Sequence, residues 1–200
     1  MKGRFFVLDG IDGAGSETQS KLLKKHIESR GGRCFVLDYP DYGHEIGSFI
    51  DGYLHSNRHI PVEVKFILYT ADMLKDKEKI EKTLAEGTTV IACRYLTSAL
   101  AYQSIEGFDL KRALEYFRIM RFPVPDVAIY LSISPETSAK RKIGEKGHLD
   151  RHESDKEFLK KVAARYEEMA SKNVFCRWKV VDGENSIDAV FEDVRKMLNF

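Results

Sequence analysis

The sequence has few cysteines and no long apolar run. Its 200 residues include three cysteines, and none of them forms a C-x-x-C pair. Widely separated cysteines in or beside apolar segments are typical of reduced, buried thiols, so we expect neither disulfides nor a zinc site, and a cytoplasmic location. No apolar run approaches the roughly 18 residues of a membrane span, and the N-terminus has no long apolar core. We therefore expect no membrane partner and no signal peptide.

The sequence also lacks an excess of charge of either sign. Lysine and arginine total 32, aspartate and glutamate total 31, and the net charge is +1. Because binding to a nucleic-acid polymer or a membrane surface normally requires a strongly basic balance, neither partner is expected. Linkers, repeats and low-complexity segments are absent too. We predict one domain over residues 1–200, which is long enough to bury about 70% of its unfolded surface and to enclose a cleft.

One stretch near the N-terminus organises this domain. Residues 5–8 form a short apolar run that predicts a strand buried on both faces. Gly10, Gly13 and Gly15 follow, and then a helical pattern begins. A strand, a glycine-rich turn and a helix in succession direct several backbone N–H groups and the positive end of the helix dipole to one point, which suits a phosphate. An ordinary turn that needs glycine for its backbone conformation explains the same glycines equally well.

The glycine spacing is that of the phosphate-binding motif G-x-x-x-x-G-K-[ST], with two residues changed. Ser16 occupies the lysine position, and Glu17 occupies the position of the hydroxyl that binds Mg²⁺. A carboxylate repels a phosphate unless a divalent cation lies between them, and Mg²⁺ accepts one or two carboxylates. We predict that Glu17 lies near Mg²⁺ with Asp12 or Thr18 close by. The alternative is that Glu17 points into solvent from the first helical turn.

Strands and helices alternate along the rest of the chain. After the first strand, further strands are predicted at 34–37, 88–93, 127–133 and 178–181. Helices are predicted at 18–29, 44–54, 62–85, 109–120, from 134 onward, 153–170 and 186–198, and no element is assigned to 94–103. This alternation predicts an α/β fold of three layers, α/β/α, with a five-stranded parallel sheet.

Open sheets of this kind bind ligands at the carboxyl ends of their strands, and three stretches lie there. Tyr39 is a candidate pocket aromatic, although a loop tyrosine that only packs is the commoner case. Arg94 follows the third strand, and its planar guanidinium matches phosphate oxygens, whereas an ordinary surface ion pair is the alternative. Residues of about 141–152 are basic and contain two glycines. They predict either a mobile lid that brings cations over a polyphosphate or a solvated loop.

Several collinear stretches resemble the thymidylate kinases, which are P-loop nucleoside-monophosphate kinases. The most specific stretch is R-Y-x-x-S-x-x-A-Y-Q at 94–103, and G-I-D-G-A-G with T-Q lies at 10–19. Others are Y-P-x-Y-G at 39–43, P-D at 125–126, S-P-E-T-S-A-K-R-K at 134–142 and D-R-H-E at the end of the basic segment. The resemblance covers almost the whole chain. It implies an ATP- and Mg²⁺-dependent enzyme that phosphorylates dTMP to dTDP, and we expect a homodimer.

The resemblance also implies which residues bind the phosphoryl donor. Gly13 stands where one branch of the family has an arginine, so the cation for the transition state is expected from the lid, with Arg141 and Arg151 as the leading candidates. The implied ATP-binding residues are Gly10, Gly13, Ala14, Gly15, Ser16, Glu17 and Thr18. The candidate metal ligands are Asp12, Glu17 and Thr18.

A second group of residues is implied for the acceptor. Arg94 would hold the acceptor phosphate, Asp12 would lie near the acceptor's sugar, and Tyr69 would stack on thymine. The implied acceptor-binding residues are Tyr39, Tyr69, Arg94, Tyr102 and Gln103.

Five positions depart from the family pattern. An acid is replaced by Cys93, an arginine by Met73, and a base-contacting asparagine by Ala99, in addition to the changes at Ser16 and Glu17. Phosphoryl transfer depends on positioning and charge neutralisation, so each lost cation removes part of the catalysis. Two alternatives therefore stay open at this point: a nucleotide-binding relative that no longer transfers phosphate, and a kinase for another nucleoside monophosphate.

Overall fold

A computed structural model describes residues 3–56, 59–146 and 155–200 of the protein. Within these ranges five strands alternate with helices. The strands are β1 (Phe5–Asp9), β2 (Cys34–Asp38), β3 (Thr89–Cys93), β4 (Val127–Ser132) and β5 (Trp178–Asp182). The helices are α1 (Ser16–Ser29), α2 (Glu45–Leu54), α3 (Val62–Leu74), α4 (Lys77–Ala85), α5 (Leu96–Ile105), α6 (Leu110–Ile119), α7 (Pro135–Lys146), α8 (Lys156–Ser171) and α9 (Ile187–Met197).

The five strands form one parallel sheet in the order β2-β3-β1-β4-β5. The predicted α/β fold with a five-stranded parallel sheet is therefore confirmed. β1 lies at the centre, between β3 and β4. Because all strands run in the same direction, their carboxyl ends meet at one edge, and the glycine-rich turn after β1 lies in the middle of that edge.

Burial differs between the inner and outer strands. Residues of β1 are buried along its whole length, as a strand with helices on both faces requires. The sequence pattern predicts a buried strand at 34–37 as well, but β2 is an edge strand and its first three residues are only half-buried. At the other edge, Lys179 and Val180 of β5 are exposed. An apolar run thus indicates a strand here without indicating whether the strand is central.

The prediction of a single helix over 62–85 is wrong, because the structure has two helices in this range. The chain leaves α3 after Leu74 and begins α4 at Lys77. At the break, the Asp76 carboxylate accepts hydrogen bonds from the Lys75 ammonium group at 2.8 Å and from the Tyr39 hydroxyl at 3.0 Å. Such side-chain bonds offer the chain an alternative to a continuous helix. Apolar residues continue at helical spacing on both sides, so the pattern does not show the break.

Helix α5 was not predicted because it is buried nearly all round. Every residue from Leu96 to Gln103 is buried. A helix without a solvent face shows no alternation between an apolar and a polar stripe, and that alternation is the usual signal.

The predicted lid segment is helical in its first half. Residues 141–146 belong to α7, so Gly144 lies within a helix and not at a loop hinge. The second half, with Gly147 and Arg151, lies outside the described residues. In the described ranges, no helix has the length and apolar character needed to cross a bilayer. Cys34, Cys93 and Cys176 are free thiols.

Candidate nucleotide-binding site

A cavity of about 780 Å³ lies at the carboxyl edge of the sheet. Its wall is built from the turn after β1, the start of α1, the ends of β2 and β3, and parts of α3, α5, α7 and α9. It contains the predicted site residues Asp12, Gly13, Ala14, Gly15, Ser16, Glu17, Thr18, Tyr39, Tyr69, Arg94, Tyr102, Gln103 and Arg141. Gly10 does not line the cavity; a Cβ at this position would lie 2.7 Å from the Leu131 carbonyl oxygen, which explains the glycine. Arg151 lies outside the part of the chain that the structure describes.

The glycine-rich turn presents the N-terminus of α1 to the cavity. Gly15 precedes the helix in a left-handed conformation with φ of 93°, and it has no side chain that could cap the first N–H groups. The first N–H groups of any helix have no partner within the helix, and they carry a partial positive charge. Gly13 also has positive φ, and a Cβ there would lie 3.1 Å from the Ser138 carbonyl oxygen. Helix α7 can therefore pack directly on the turn.

Arg94, directly after β3, points its charge into the middle of the cavity wall. Its Nη2 donates a hydrogen bond to Asp12 at 2.8 Å, and its guanidinium lies 5.6 Å from the centre of the Tyr102 ring. The Tyr102 hydroxyl donates to the other Asp12 oxygen at 3.0 Å. Burial by itself lowers the pKa of Arg94, but the negative charge of Asp12 acts together with Tyr102, Tyr166 and Asp9, and the pKa lies well above its ordinary value. Arg94 therefore stays charged in a partly buried position.

The backbone at Arg94 adopts a conformation that is uncommon for a residue with a side chain. Its φ is 64°, in the left-handed region. Conformations of this kind cost on the order of 1–3 kcal/mol and persist where surrounding contacts hold them. Here those contacts include the Asp12 ion pair and a backbone hydrogen bond from the Arg94 N–H to the Leu8 carbonyl. The strained turn directs the side chain toward the cavity.

Asp9, the last residue of β1, anchors the helix that carries Tyr102. It is fully buried and accepts hydrogen bonds from the hydroxyls of Thr97 at 2.6 Å, Ser98 at 2.7 Å and Tyr166 at 2.7 Å. Burial raises the pKa of Asp9, although the charge of Arg94 and the three hydroxyl donors oppose that rise. These bonds fix α5 and α8 relative to β1, so Tyr102 and Gln103 are held in place at one end of the cavity.

That end, which we call the acceptor end, is bounded by Tyr69, Met73, Ala99, Tyr102 and Gln103. Burial raises the pKa of Tyr69 well above its ordinary value, so its hydroxyl stays neutral. The Gln103 side chain is 3% exposed, and its Oε1 has no hydrogen-bond partner in the described ranges. A buried carbonyl oxygen without a partner is costly, and it can be satisfied by a donor on a ligand.

The turn after β2 is fastened to the break between α3 and α4. Lys75 lies within ion-pair distance of Asp41, Asp72 and Asp76, at 3.3, 3.0 and 2.8 Å. The Asp41 N–H donates to Asp72 at 2.8 Å, and the Tyr39 hydroxyl donates to Asp76. We call these five residues the Lys75 cluster. It positions Tyr39 and the residues that follow it beside the acceptor end.

At the opposite end, Arg141 joins two loops. Its Nη1 donates to the Gly13 carbonyl at 3.1 Å and its Nη2 donates to the Gly183 carbonyl at 2.9 Å. The turn after β1 is thereby connected to the loop between β5 and α9. Arg141 thus lies on a helix that contacts the glycine-rich turn, and its role as the transition-state cation stays a prediction.

Comparison with known proteins identifies the family of this chain. A family model described as thymidylate kinase matches residues 8–194. The chain belongs to the thymidylate kinase family. Human thymidylate kinase is 30% identical over 195 aligned residues, covering 97% of this chain and 89% of the relative. The thymidylate kinase of Caldanaerobacter subterraneus is 33% identical over 204 aligned positions, with 98% and 95% covered. A solved structure of Candida albicans thymidylate kinase matches with a TM-score of 0.80 at 22% identity, covering 99% of this chain and 92% of the other.

Family membership confirms the predicted resemblance and the prediction of a phosphotransferase enzyme. It does not test individual residues, so the roles given to Asp12, Arg94, Tyr69 and the other site residues stay predictions. Met73 and Ala99, which replace two residues of the family pattern, both line the acceptor end. The replacements therefore change the cavity wall itself.

Glu17 lies at the mouth of the cavity, at the end that also contains Arg141, which we call the donor end. Its side chain is 57% exposed and accepts a hydrogen bond from Lys21 at 2.5 Å, one helical turn further along α1. In the described ranges no group of three or more His, Cys, Asp or Glu side chains is suited to a metal ion. Oxygen donors of Asp12, Glu17 and Thr18 nevertheless line the cavity, and hard oxygen donors are what Mg²⁺ takes. This set fits a Mg²⁺ ion that is held mainly by nucleotide phosphates.

Several residues of the donor end were not singled out in the sequence. Asn185, Ser186, Ile187 and Val190, which follow β5, line the cavity together with Gln19 of α1. The general rule that ligands bind at the carboxyl ends of parallel strands would have indicated the loop after β5. Gln19 gives no such signal, because a polar residue in a first helical turn is normally exposed.

Proposed function

We propose that this protein transfers the γ-phosphoryl group of ATP to the phosphate of dTMP, giving ADP and dTDP. The observation that carries the proposal is the arrangement of the cavity, which connects the N-terminus of α1 to Arg94. The N-terminus of α1 and the guanidinium of Arg94 both attract anions, so the cavity can hold two phosphate groups that face each other. Membership of the thymidylate kinase family supports the same reaction.

At the acceptor end, Arg94 supplies the cation for the dTMP phosphate. Its guanidinium is held by Asp12 and by the ring of Tyr102, so it is oriented before a ligand arrives. An oriented fork of N–H donors can bind two phosphate oxygens at once. A phosphate oxygen is already anionic, so the acceptor needs little help from a general base.

The base of the acceptor would contact Tyr69 and Gln103. Thymine has an N–H donor at N3, whereas cytosine has an acceptor at the same position. The unpartnered Oε1 of Gln103 can accept from the thymine N–H, and it would repel the cytosine nitrogen. Tyr69 offers an aromatic face for stacking. With the amide in this orientation, dTMP is favoured over dCMP.

At the donor end, the N–H groups of the glycine-rich turn and of α1 would hold the ATP phosphates. Asp12, Glu17 and Thr18 are the residues near which Mg²⁺ would lie, and the ion would supply charge neutralisation to the transferring phosphoryl group. Arg141 keeps a positive charge beside Gly13 while both of its terminal nitrogens are bonded to carbonyls. It can therefore attract the phosphates without being free to move.

An assay of ADP release against a panel of nucleoside monophosphates tests this function. The expected result is the highest kcat/KM with dTMP, and activity that requires Mg²⁺. Faster turnover of AMP, CMP or GMP would contradict the assignment of the acceptor. Absence of ADP release with every acceptor would contradict the assignment of an active kinase.

We also propose that the protein is a homodimer located in the cytoplasm. Phe49 on α2 and Val64 and Ile67 on α3 are apolar and about half exposed, and α2 packs against α3. Adjacent exposed apolar side chains are typical of protein interfaces. Sedimentation analysis should give twice the mass of the chain, and replacement of Ile67 by aspartate should return the mass to that of a monomer.

A further inference from the structure

The loop between β5 and α9 is fastened to the start of α7 by one carboxylate. Oε1 of Glu184 accepts a hydrogen bond from the Ser134 backbone N–H at 2.7 Å, and Oε2 accepts from the Thr137 hydroxyl at 2.6 Å. Both bonds lower the pKa of Glu184, the bond from Thr137 most strongly, because both favour the ionised carboxylate. Glu184 therefore connects two elements that are distant in the sequence.

These contacts form a helix cap whose carboxylate comes from outside the helix. The Thr137 N–H donates to the Ser134 hydroxyl oxygen at 3.2 Å, as is usual for a serine that precedes a helix. In a capping box, a glutamate or glutamine at the position of Thr137 would accept from the serine N–H. Here the Ser134 N–H donates to Glu184 instead. A glutamate at position 137 could cap α7 without touching the loop, so the use of Glu184 adds a connection that the cap alone does not need.

The loop that carries Glu184 is held in place without this side chain. The Gly183 N–H donates to the Ser132 carbonyl at 2.9 Å, and the Glu184 N–H donates to the Asp182 carboxylate at 2.9 Å. Asp182 also accepts from the Asn185 amide at 3.1 Å. Replacement of the Glu184 side chain should therefore leave the loop and the sheet in place and release only the start of α7.

Arg141 connects the same helix to the same loop at a second point. It follows Thr137 by one helical turn, so the two side chains lie on one face of α7. The Arg141 guanidinium donates to the Gly183 carbonyl at 2.9 Å and to the Gly13 carbonyl at 3.1 Å. A shift at the start of α7 would therefore move Arg141 relative to the glycine-rich turn.

We propose that Glu184 is a positioning residue for phosphoryl transfer, an inference that rests on the proposed function. It holds the start of α7 against the loop after β5, and this keeps the Arg141 guanidinium beside Gly13, where the donor phosphates would lie. A cation that is already in place stabilises the transferring phosphoryl group without a cost of reorganisation. The cavity wall includes Gly183 and Asn185 but not Glu184, so Glu184 acts through Arg141.

Steady-state kinetics with ATP and dTMP separate this role from that of an ordinary helix cap. Glu184→Ala removes both the cap and the connection, and it should lower kcat about ten-fold while KM for ATP changes less than about two-fold. Addition of Thr137→Glu to Glu184→Ala restores a local capping box but not the connection, so kcat should stay low. Glu184→Gln keeps an acceptor for the Ser134 N–H and a donor for the Thr137 hydroxyl, and its kcat should lie within about three-fold of the wild type.

A double-mutant cycle with Arg141 gives a second readout. In the Arg141→Met background, Glu184→Ala should change kcat less than about two-fold, because the cation that Glu184 positions is gone. Glu136→Ala is the matched control, since it removes an exposed carboxylate from the same turn of α7. It should leave kcat unchanged.

The outcomes distinguish this inference from the proposed function. Recovery of kcat on addition of Thr137→Glu would reduce Glu184 to a helix cap, and equal losses in the wild-type and Arg141→Met backgrounds would show that it does not act through Arg141. An unchanged kcat in Glu184→Ala, or a Glu184→Gln variant as slow as Glu184→Ala, would also overturn the positioning role. Each of these four results would leave the kinase itself intact. A wild type that releases no ADP would overturn both proposals.

Discussion

The two ends of the cavity are stabilised in different ways. At the acceptor end, Arg94, Asp12 and Tyr102 form a partly buried set of charge and hydroxyl contacts, and the fully buried Asp9 anchors the helix behind them. At the donor end, the Glu17 and Lys21 pair is exposed to solvent, and Arg141 is bonded to backbone carbonyls. Side-chain charges in buried positions carry large energies, whereas exposed pairs contribute little.

From this difference we expect that the glycine-rich turn tolerates Ser16 and Glu17. Backbone N–H groups and the dipole of α1 do not depend on which side chains follow the turn. The replaced lysine removes a charge and leaves the backbone contacts in place. At the acceptor end a comparable change would leave a buried charge without its partner. The predictions below test this contrast, from the largest expected effect to the smallest.

The largest effect is expected for Lys75→Met in the Lys75 cluster. Asp72 is 1% exposed, and without the ammonium group it would be a buried charge without its cation. Loss of one partner of a buried pair typically costs about 3–5 kcal/mol of stability. Unfolding in denaturant should show this decrease. Lys21→Met at the donor end is the matched control, and it should change the stability very little, because both side chains of the Lys21 and Glu17 pair are exposed. Similar losses in the two variants would remove the contrast between the ends.

Arg94→Ala should damage catalysis at the acceptor end. It removes the cation for the acceptor phosphate and leaves Asp12 without its ion pair. The expected loss in transition-state stabilisation is roughly 2–5 kcal/mol, or about 30-fold to several thousand-fold in kcat/KM for dTMP. Arg118→Ala, which affects an exposed pair with Glu115, should change kcat/KM less than about two-fold. A small effect at Arg94 would place the acceptor phosphate elsewhere.

Ser16→Lys should strengthen the donor end. A lysine at this position adds a charge beside the β- and γ-phosphates, and charge-assisted hydrogen bonds contribute about 1.5–3 kcal/mol. ATP binding should therefore become tighter, and turnover should rise. Ser16→Gln introduces a long side chain without charge and serves as the control. Equal affinities in the two variants would show that side-chain length, and not charge, matters at this position.

Glu17→Gln should have the smallest effect on stability, because it breaks an ion pair between two exposed side chains. Its informative readout is the Mg²⁺ dependence of ATP binding. If Glu17 lies near the metal, the variant should bind ATP with a weaker dependence on Mg²⁺ than the wild type. If Glu17→Gln and the wild type bind ATP with the same Mg²⁺ dependence, Glu17 does not lie near the metal.

Much of the fold was predictable, because central strands read as apolar runs and most helices show a polar face. Helix α5 was missed since its buried surface leaves no polar stripe. The break at Lys75 and Asp76 was missed since it depends on contacts with Tyr39 and Asp41, which are distant in sequence. Local patterns contain no information about such pairings.

The acceptor end was predictable from motif resemblance, and the donor end was only partly so. Gln19 lines the cavity although it is 2% exposed, and only coordinates reveal such a position. Asp9 looks like the ordinary end of a strand, although it accepts bonds from two helices. The sequence does not show which residues contact Gln19 and Asp9, so it could not indicate the positions of these two side chains in the site.

The most direct test of the account uses one ligand that spans the cavity, adenosine and thymidine joined through their 5′ oxygens by five phosphates. If one end holds the donor and the other the acceptor, this molecule should bind with one-to-one stoichiometry and exclude both ATP and dTMP. Linking the two nucleotides should also make it bind more tightly than either alone, by about 10²-fold or more. Displacement of only one nucleotide, or formation of a complex that still binds the other, would contradict the proposed arrangement of the site.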